Sequence, residues 1–174
     1  MLNNFRAKIR DVHDFPKPGI VFKDITPVLA DAALCKALVD ELASHYRKQD
    51  IQVIAGIESR GFLFGMLLAY ELNIPFVPVR KAGKLPFRTI STSYELEYGE
   101  AVIEMHEDAI RPHDRVLIHD DLLATGGTAA AAAKLIGKLQ GQVAGFSFLI
   151  DLTFLQGKEV LRAYSDRIHA MVAY

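Results

Sequence analysis

Two adjacent carboxylates, followed by a turn of threonine and glycine, are the residues of this sequence best suited to bind a ligand. Asp120 and Asp121 follow the apolar residues 116–118, and residues 125–128 read Thr-Gly-Gly-Thr. Glycine lets a phosphate approach the backbone closely, and a helix N-terminus favours an anion. Because carboxylates repel phosphate, the two aspartates indicate a ligand that also carries hydroxyl groups or magnesium, as a ribose phosphate does.

The elements around this turn are predicted to be a strand, a loop and a helix. Residues 116–118 are typical of a strand covered on both faces in a parallel sheet. The alanines 129–133, with apolar residues behind them, predict a helix over residues 127–140, which Thr125 and Thr128 can cap. Open α/β sheets bind ligands at the carboxyl ends of their strands. The alternative is an ordinary strand–loop–helix connection with an acidic cap.

A second predicted strand, residues 51–57, also ends in a polar turn that opens a helix. Ser59 and a following glycine leave N–H groups free for an anion, and Arg60 can bind phosphate through two nitrogens. The alternative is a surface arginine in a turn.

A third predicted strand, residues 74–79, leads into three cations. Pro75 and Pro78 indicate that this strand lies near a sheet edge. Such a cluster of cations usually forms a solvated face, but at a strand end it can stabilise a leaving anion.

Residues 120–128 resemble the phosphoribosyl pyrophosphate signature of the type I phosphoribosyltransferases, in the form found in adenine-specific members. The resemblance implies that Asp120 and Asp121 hold the ribose hydroxyls. It implies a cradle for the 5′-phosphate from Ala124, Thr125, Gly126, Gly127 and Thr128. It also implies that the pyrophosphate is bound by Glu58, Ser59, Arg60, Arg80, Lys81 and Lys84, and that Arg60 is catalytic and lies near the base. In that family, basic residues of the segment 80–84 can act across a dimer interface, so the sequence does not assign them to one subunit. Magnesium would be bound by substrate oxygens and water, with no direct protein ligand.

Two further segments resemble parts of the adenine-specific enzymes. Residues 14–27 resemble the hood that covers the purine, so Val21, Phe22 and Lys23 would bind adenine, with Leu152 on its opposite face. Residues 93–99 resemble the flexible catalytic loop. There Glu97 would act as the acid–base residue, and Tyr98 would close against the site.

Three residues depart from the family pattern. Lys23 stands where arginine is more usual, which matters little if the backbone reads the base. His119 replaces an aliphatic residue, and we interpret it as a local substitution or as a residue that tunes the aspartates. Asp151 replaces a glutamate that is one methylene longer, so its carboxylate extends less far towards the residues of the site that it would support.

Composition restricts the remaining possibilities. The chain has 174 residues and a net charge of −1, so we expect one domain and no bulk attraction to nucleic acid or anionic membranes. The apolar block 62–70 is too short to span a bilayer, and residues 1–14 carry no apolar run typical of a signal peptide. Cys35 is the single cysteine. These features predict a cytoplasmic protein.

The predicted fold is the α/β type I phosphoribosyltransferase fold, with a mainly parallel central sheet flanked by helices. We expect a single domain over residues 1–174, a small N-terminal hood at about 1–32 and a flexible catalytic loop at about 85–100. The function implied is a homodimeric enzyme that converts adenine and phosphoribosyl pyrophosphate into AMP and pyrophosphate. Two alternatives remain: an enzyme for another purine base, and a regulator that senses phosphoribosyl pyrophosphate.

Overall fold

The computed structural model describes residues 1–95 and 99–174, and within them the strands form a small and a large sheet. The small sheet is an antiparallel pair of β1 (Arg10–His13) and β2 (Val21–Asp24) within the segment predicted to be the hood, and we use the name hood for it below. The large sheet contains β3 (Val53–Ile57), β4 (Phe76–Lys81), β5 (Thr89–Glu95), β6 (Glu100–His106), β7 (Arg115–Leu123), β8 (Gln142–Asp151) and β9 (Ile168–Ala173).

The large sheet is mainly parallel, as predicted. Its spatial order is β5-β6-β4-β3-β7-β8-β9. β4, β3, β7, β8 and β9 run parallel to one another, whereas β6 is antiparallel to both β4 and β5. Residues 89–95 are extended and pair with β6 at the edge of the sheet, and we call residues 89–99 the arm.

Helices cover both faces of this sheet. They are α1 (Leu2–Lys8), α2 (Thr26–Leu29), α3 (Ala32–Tyr46), α4 (Arg60–Leu72), α5 (Gly127–Lys138) and α6 (Gly157–Leu161). Leu38 of α3 and Phe64 of α4 pack with Leu117 and Leu149 on one face. On the other face, the alanines of α5 pack against Phe146. None of the helices in the described residues is long and apolar enough to cross a lipid bilayer.

The predicted edge position of β4 is wrong, because this strand lies between β6 and β3. β6 pairs with β4 only at Arg80 and Lys81. Pro78 precedes that ladder, so its missing N–H interrupts no hydrogen bond on that side of the strand. A proline pattern alone does not reveal where along a strand its neighbour begins to pair.

Candidate active site

The carboxyl-end segments of β3, β4 and β7 meet the hood around a cavity of about 330 Å³. Its lining combines an aromatic ring, three carboxylates, a hydroxyl and two cations, from Phe22, Glu58, Ser59, Arg60, Lys81, Asp120 and Asp121. All seven are residues that the sequence motifs predicted for the site. The structure thus brings together one face of the hood, the turn after β3, the end of β4 and the paired aspartates.

The other predicted site residues of the described chain lie outside this lining. Arg80 and Lys84 adjoin it through Glu58. Residues 124–128 follow β7, and Leu152 follows β8, where its N–H donates to the carbonyl of Leu123 at 2.9 Å. The lining also omits Val21 and Lys23 of the hood. Glu97 and Tyr98 lie outside the residues that the structure describes.

Asp120 and Asp121 lie within β7 rather than in the loop after it. The Asp121 N–H donates to Asp120 Oδ1 at 2.8 Å. Burial, and then the charge of Asp121, raise the pKa of Asp120 well above its usual range. Burial also raises the pKa of Asp121, although the Arg60 charge opposes that rise. The pair therefore favours a ligand that donates hydrogen bonds or brings positive charge, as ribose hydroxyls do.

Arg60 joins the hood to the paired aspartates from the first position of α4. Its Nε lies 3.0 Å from Asp121 Oδ2, and its Nη1 donates to the Lys23 carbonyl at 3.3 Å. The guanidinium carbon lies 4.7 Å from the centroid of the Phe22 ring. One side chain thus contacts both the expected ribose-binding residues and the expected adenine-binding strand.

The turn between β7 and α5 has the conformation that its glycines predicted. Gly126 has φ +83°, and a β-carbon there would lie 2.7 Å from the Gly157 carbonyl oxygen. The predicted threonine caps are wrong, because the N-cap of α5 is Gly126, a glycine without a side chain to cap the helix. The first N–H groups of α5 have no partner within the helix, which leaves them available to an anion.

The described end of the arm lies over this turn. A β-carbon at Gly127 would be 3.5 Å from Tyr94 Cδ2 and 3.7 Å from the Glu95 carbonyl oxygen. The last two described residues of β5 therefore lie beside the predicted phosphate turn.

Glu58 holds the basic residues at the end of β4 and in the turn after it. Its carboxylate accepts hydrogen bonds from Lys84 Nζ at 2.6 Å, Arg80 Nε at 3.2 Å and the Lys81 N–H at 2.9 Å. Burial raises the pKa of Glu58, but these hydrogen bonds and charges outweigh it, and the pKa lies below its ordinary value. The carboxylate is therefore charged, and it keeps these cations beside the cavity.

His119 is completely buried on β7, beneath α4. Its Nδ1 lies 3.1 Å from Ser147 Oγ, and its Nε2 has no hydrogen-bond partner in the described structure. Burial lowers the pKa of His119 to about 4, so the imidazole is neutral near pH 7. The pKa shifts of the neighbouring aspartates arise from burial, from each other and from Arg60, which favours the interpretation of His119 as a local substitution.

The other two departures from the family pattern have partners in the structure. Asp151 is 1% exposed, and Lys158 Nζ lies 2.8 Å from its Oδ2. Lys23 Nζ lies 2.6 Å from Asp11 Oδ1 and 4.0 Å from the centroid of the Tyr174 ring. Lys23 is thus held by its side chain, while its carbonyl accepts from Arg60.

Sequence reasoning missed one buried carboxylate near the site. Glu104 of β6 is 6% exposed, and it accepts hydrogen bonds from the turn that carries Lys84. The sequence contains a pattern that indicates this residue, because an acidic side chain between Ile103 and Met105 interrupts an apolar strand. A buried carboxylate needs hydrogen-bond donors, but the strand itself does not reveal which ones.

Comparison with known proteins agrees with this geometry. Residues 28–167 match the family model of the phosphoribosyl transferase domain. Over 169 residues the chain is 52% identical to the adenine phosphoribosyltransferase of Cytophaga hutchinsonii, a match that covers 97% of this chain and 93% of that protein. The chain belongs to the adenine phosphoribosyltransferase family. The family that the motifs predicted is therefore confirmed.

Solved structures of this family have the same fold. The adenine phosphoribosyltransferase of Thermoanaerobacter pseudethanolicus matches with a TM-score of 0.96 and 49% identity over 100% of both chains. The Saccharomyces cerevisiae enzyme, solved with adenine and an imino-altritol bisphosphate, matches with a TM-score of 0.91 and 36% identity over 98% of both chains. The predicted α/β fold, with its mainly parallel sheet flanked by helices, is confirmed.

Proposed function

We propose that this chain is a pentosyltransferase of purine salvage that joins adenine to phosphoribosyl pyrophosphate, giving AMP and pyrophosphate. The observation that carries the proposal is the single cavity lined by the Phe22 ring, the paired aspartates and the cations. A base needs an aromatic surface, ribose hydroxyls need acceptors, and pyrophosphate needs positive charge. Membership of the adenine phosphoribosyltransferase family supports adenine as the base.

The phosphoribosyl part of the substrate would bind along the carboxyl edge of the sheet. Asp120 and Asp121 would accept hydrogen bonds from the two ribose hydroxyls. Residues 124–128 would hold the 5′-phosphate with backbone N–H groups at the start of α5. Ser59, Lys81 and the cations held by Glu58 would face the pyrophosphate, so Glu58 serves the substrate through those cations.

Adenine would lie between the hood and the end of β8. Phe22 lines the cavity from the hood, and Leu152 is buried where β8 ends. Val21 and the backbone near Lys23 would contact the base and its edge. An acceptor placed for the amino group of adenine would face another acceptor in an oxo-purine, and each unpaired buried polar group costs about 1–3 kcal/mol. Two such mismatches are enough to select adenine.

The chemical step separates pyrophosphate from the ribose and leaves positive character on the sugar. Arg60, Arg80 and Lys84 would stabilise the departing charge, because fixed cations need no reorganisation during the reaction. Glu97 would handle the purine proton, and Tyr98 would close against the site to exclude water. The approach of Tyr94 to the phosphate turn supports this place for the loop.

Magnesium enters this proposal with the substrate. Within the described residues, no group of three or more His, Cys, Asp or Glu could hold a metal ion, and Asp121 is paired with Arg60. This donor set fits an ion that keeps its waters and is held by substrate oxygens. When bound, magnesium would stabilise the negative charge of the leaving group.

We also propose that the enzyme works as a cytoplasmic homodimer. The spacing of Leu63, Met66, Leu67 and Tyr70 places them on one face of α4, and these side chains are 43–79% exposed. Such an apolar face favours contact with a second copy of the chain. Light scattering should give a mass of twice 19.3 kDa for the wild type and one chain for Leu67→Glu. The same change at exposed Phe154 should leave the dimer intact, and a monomeric wild type would contradict the proposal.

The deciding experiment for the reaction is a turnover assay with magnesium and phosphoribosyl pyrophosphate, offering adenine, hypoxanthine and guanine in parallel. We expect AMP from adenine alone. Glu97→Gln should lower kcat by about 10²–10⁴-fold, the usual contribution of a general acid–base residue. Glu95→Gln is the matched control, because Glu95 is an exposed carboxylate on the same arm. Turnover of an oxo-purine would refute the assignment of adenine as the base. If none of the three bases is converted, the proposed enzymatic function is refuted.

A further inference from the structure

The basic segment between β4 and β5 carries Lys84 on a turn outside any helix or strand. A cation stabilises a leaving anion best when it is already held in position before the reaction. Something other than regular secondary structure must therefore fix the backbone of residues 83–85.

Glu104 supplies that contact from the neighbouring strand β6, where it pairs in register with Arg80. Its Oε1 accepts hydrogen bonds from the Lys84 N–H at 3.0 Å and the Leu85 N–H at 2.9 Å. Its Oε2 accepts from the Thr89 hydroxyl at 3.3 Å. The carboxylate thus binds both the turn and the first residue of the arm.

The charge state of Glu104 agrees with this arrangement. Burial raises the pKa of Glu104, but hydrogen bonds from the N–H groups of Leu85, Gly83 and Lys84 and from Thr89 outweigh it. The pKa therefore lies below its ordinary value, and the group is charged near pH 7. A charged acceptor makes stronger hydrogen bonds to backbone N–H groups than a neutral one.

The two ends of Lys84 are held by two different carboxylates. Glu104 binds its backbone, while Glu58 accepts from its Nζ at 2.6 Å. Arg80 Nη1 donates to the Lys84 carbonyl at 3.0 Å, so the turn also orients Arg80. Glu58 itself lines the cavity. A displacement of the turn would therefore move both cations relative to the pyrophosphate.

We propose that Glu104 is a positioning residue for phosphoribosyl transfer, acting through the backbone of residues 83–85 to hold Lys84 and Arg80 against the pyrophosphate. The inference rests on the proposed function and adds a residue to its machinery. It predicts a selective effect, because the contacts of Glu104 lie on the pyrophosphate side and not on the adenine side of the cavity.

The test compares Glu104→Gln with Glu107→Gln. Glutamine keeps the shape of the side chain, but it loses the charge and one acceptor. Glu107 is an exposed carboxylate at the end of the same hairpin, 3.6 Å from Arg88. In Glu104→Gln, the KM for phosphoribosyl pyrophosphate and the Kd for inorganic pyrophosphate should both rise about 10-fold, the loss expected for one charge-assisted hydrogen bond. The KM for adenine should change by less than about twofold, and Glu107→Gln should match the wild type.

A double variant tests whether Glu104 acts through Lys84. If it does, the rise in the KM for phosphoribosyl pyrophosphate caused by Glu104→Gln should be smaller once Lys84→Met is present, because only the part of the effect that acts through Arg80 remains. Independent, multiplying effects would overturn the proposal. Equal rises in the KM values of both substrates would overturn it as well, since they indicate general loosening of the structure.

Folding and function are controlled separately. If Glu104→Gln is unfolded at the assay temperature, Glu104→Asp is measured in its place against the same criteria. Aspartate keeps the charge, but its shorter side chain withdraws the carboxylate from the turn. Titration of the wild type and the variant with inorganic pyrophosphate needs no turnover. A wild type that converts no base therefore refutes the proposed function, whereas unchanged pyrophosphate affinity in the folded variant refutes the role of Glu104.

Discussion

Replacing His119 by leucine should make the protein less sensitive to mild acid. The imidazole is completely buried, and burial lowers its pKa from 6.5 to about 4. The unfolded chain therefore binds a proton at this residue at a higher pH than the folded chain does. The part of the stability that depends on the neutral imidazole is fully present above pH 6.5. It is lost as the pH falls from 6.5 through about 4.

The size of this effect follows from the two pKa values. Between pH 7 and pH 5, a histidine with pKa 6.5 unfolded and about 4 folded removes about 2 kcal/mol from the free energy of unfolding. For a chain of this length, that loss corresponds to a fall in Tm of about 4–8 °C. Leucine does not titrate, so His119→Leu should lack this part of the fall.

The assay is thermal unfolding followed by circular dichroism at both pH values, for wild type and variant. The relevant quantity is the change in Tm with pH, because leucine also alters packing and removes the partner of Ser147 at every pH. His13→Leu removes an exposed imidazole from the hood and should follow the wild-type profile. If wild type and His119→Leu lose the same number of degrees between the two pH values, the buried neutral imidazole is not a source of acid sensitivity.

Two further predictions concern the phosphate turn and the arginine beside it. Gly126→Ala should lower stability by about 1–2 kcal/mol, since its left-handed backbone disfavours a β-carbon. It should also raise the KM for phosphoribosyl pyrophosphate. Gly137→Ala, where a β-carbon meets no described atom within 4 Å, should be neutral or slightly stabilising. Equal effects of the two substitutions in calorimetry and kinetics would contradict this reasoning. Arg60→Lys should lower kcat/KM by about 10–100-fold, which corresponds to a loss of about 1.4–2.7 kcal/mol of transition-state stabilisation. The reason is that lysine cannot contact Asp121 and the Lys23 carbonyl together. Arg47→Lys, at an exposed ion pair, should behave like the wild type in the same assay. If Arg60→Lys is as active as the wild type, the contact of Arg60 with both Asp121 and the Lys23 carbonyl is dispensable.

The cavity residues were predictable from sequence where their chemistry is contiguous. Asp120 and Asp121 precede the phosphate turn, with two leucines between the pair and the turn, and Glu58, Ser59 and Arg60 directly follow an apolar strand. Parallel strands bring such strand ends to one edge of a sheet, so local pattern and fold class together predicted that these strand ends meet, whereas Phe22 of the hood came from the family resemblance. The edge position of β4 and the threonine caps were wrong, because pairing partners and cap geometry depend on neighbouring segments.

The sequence by itself determined most of the strands and helices around the central sheet, since apolar periodicity is a local property of the chain, and the short motifs gave the resemblance that supplied the family and the lining residues. Only the tertiary structure decided which carboxylate holds which cation. Glu104 reaches Lys84 because β6 turns back antiparallel to β4, and Arg60 reaches the hood because α4 begins beside it. His119 became a buried neutral group only when α4 packed over β7. These outcomes depend on contacts between distant segments, whose distances and burial no local pattern contains.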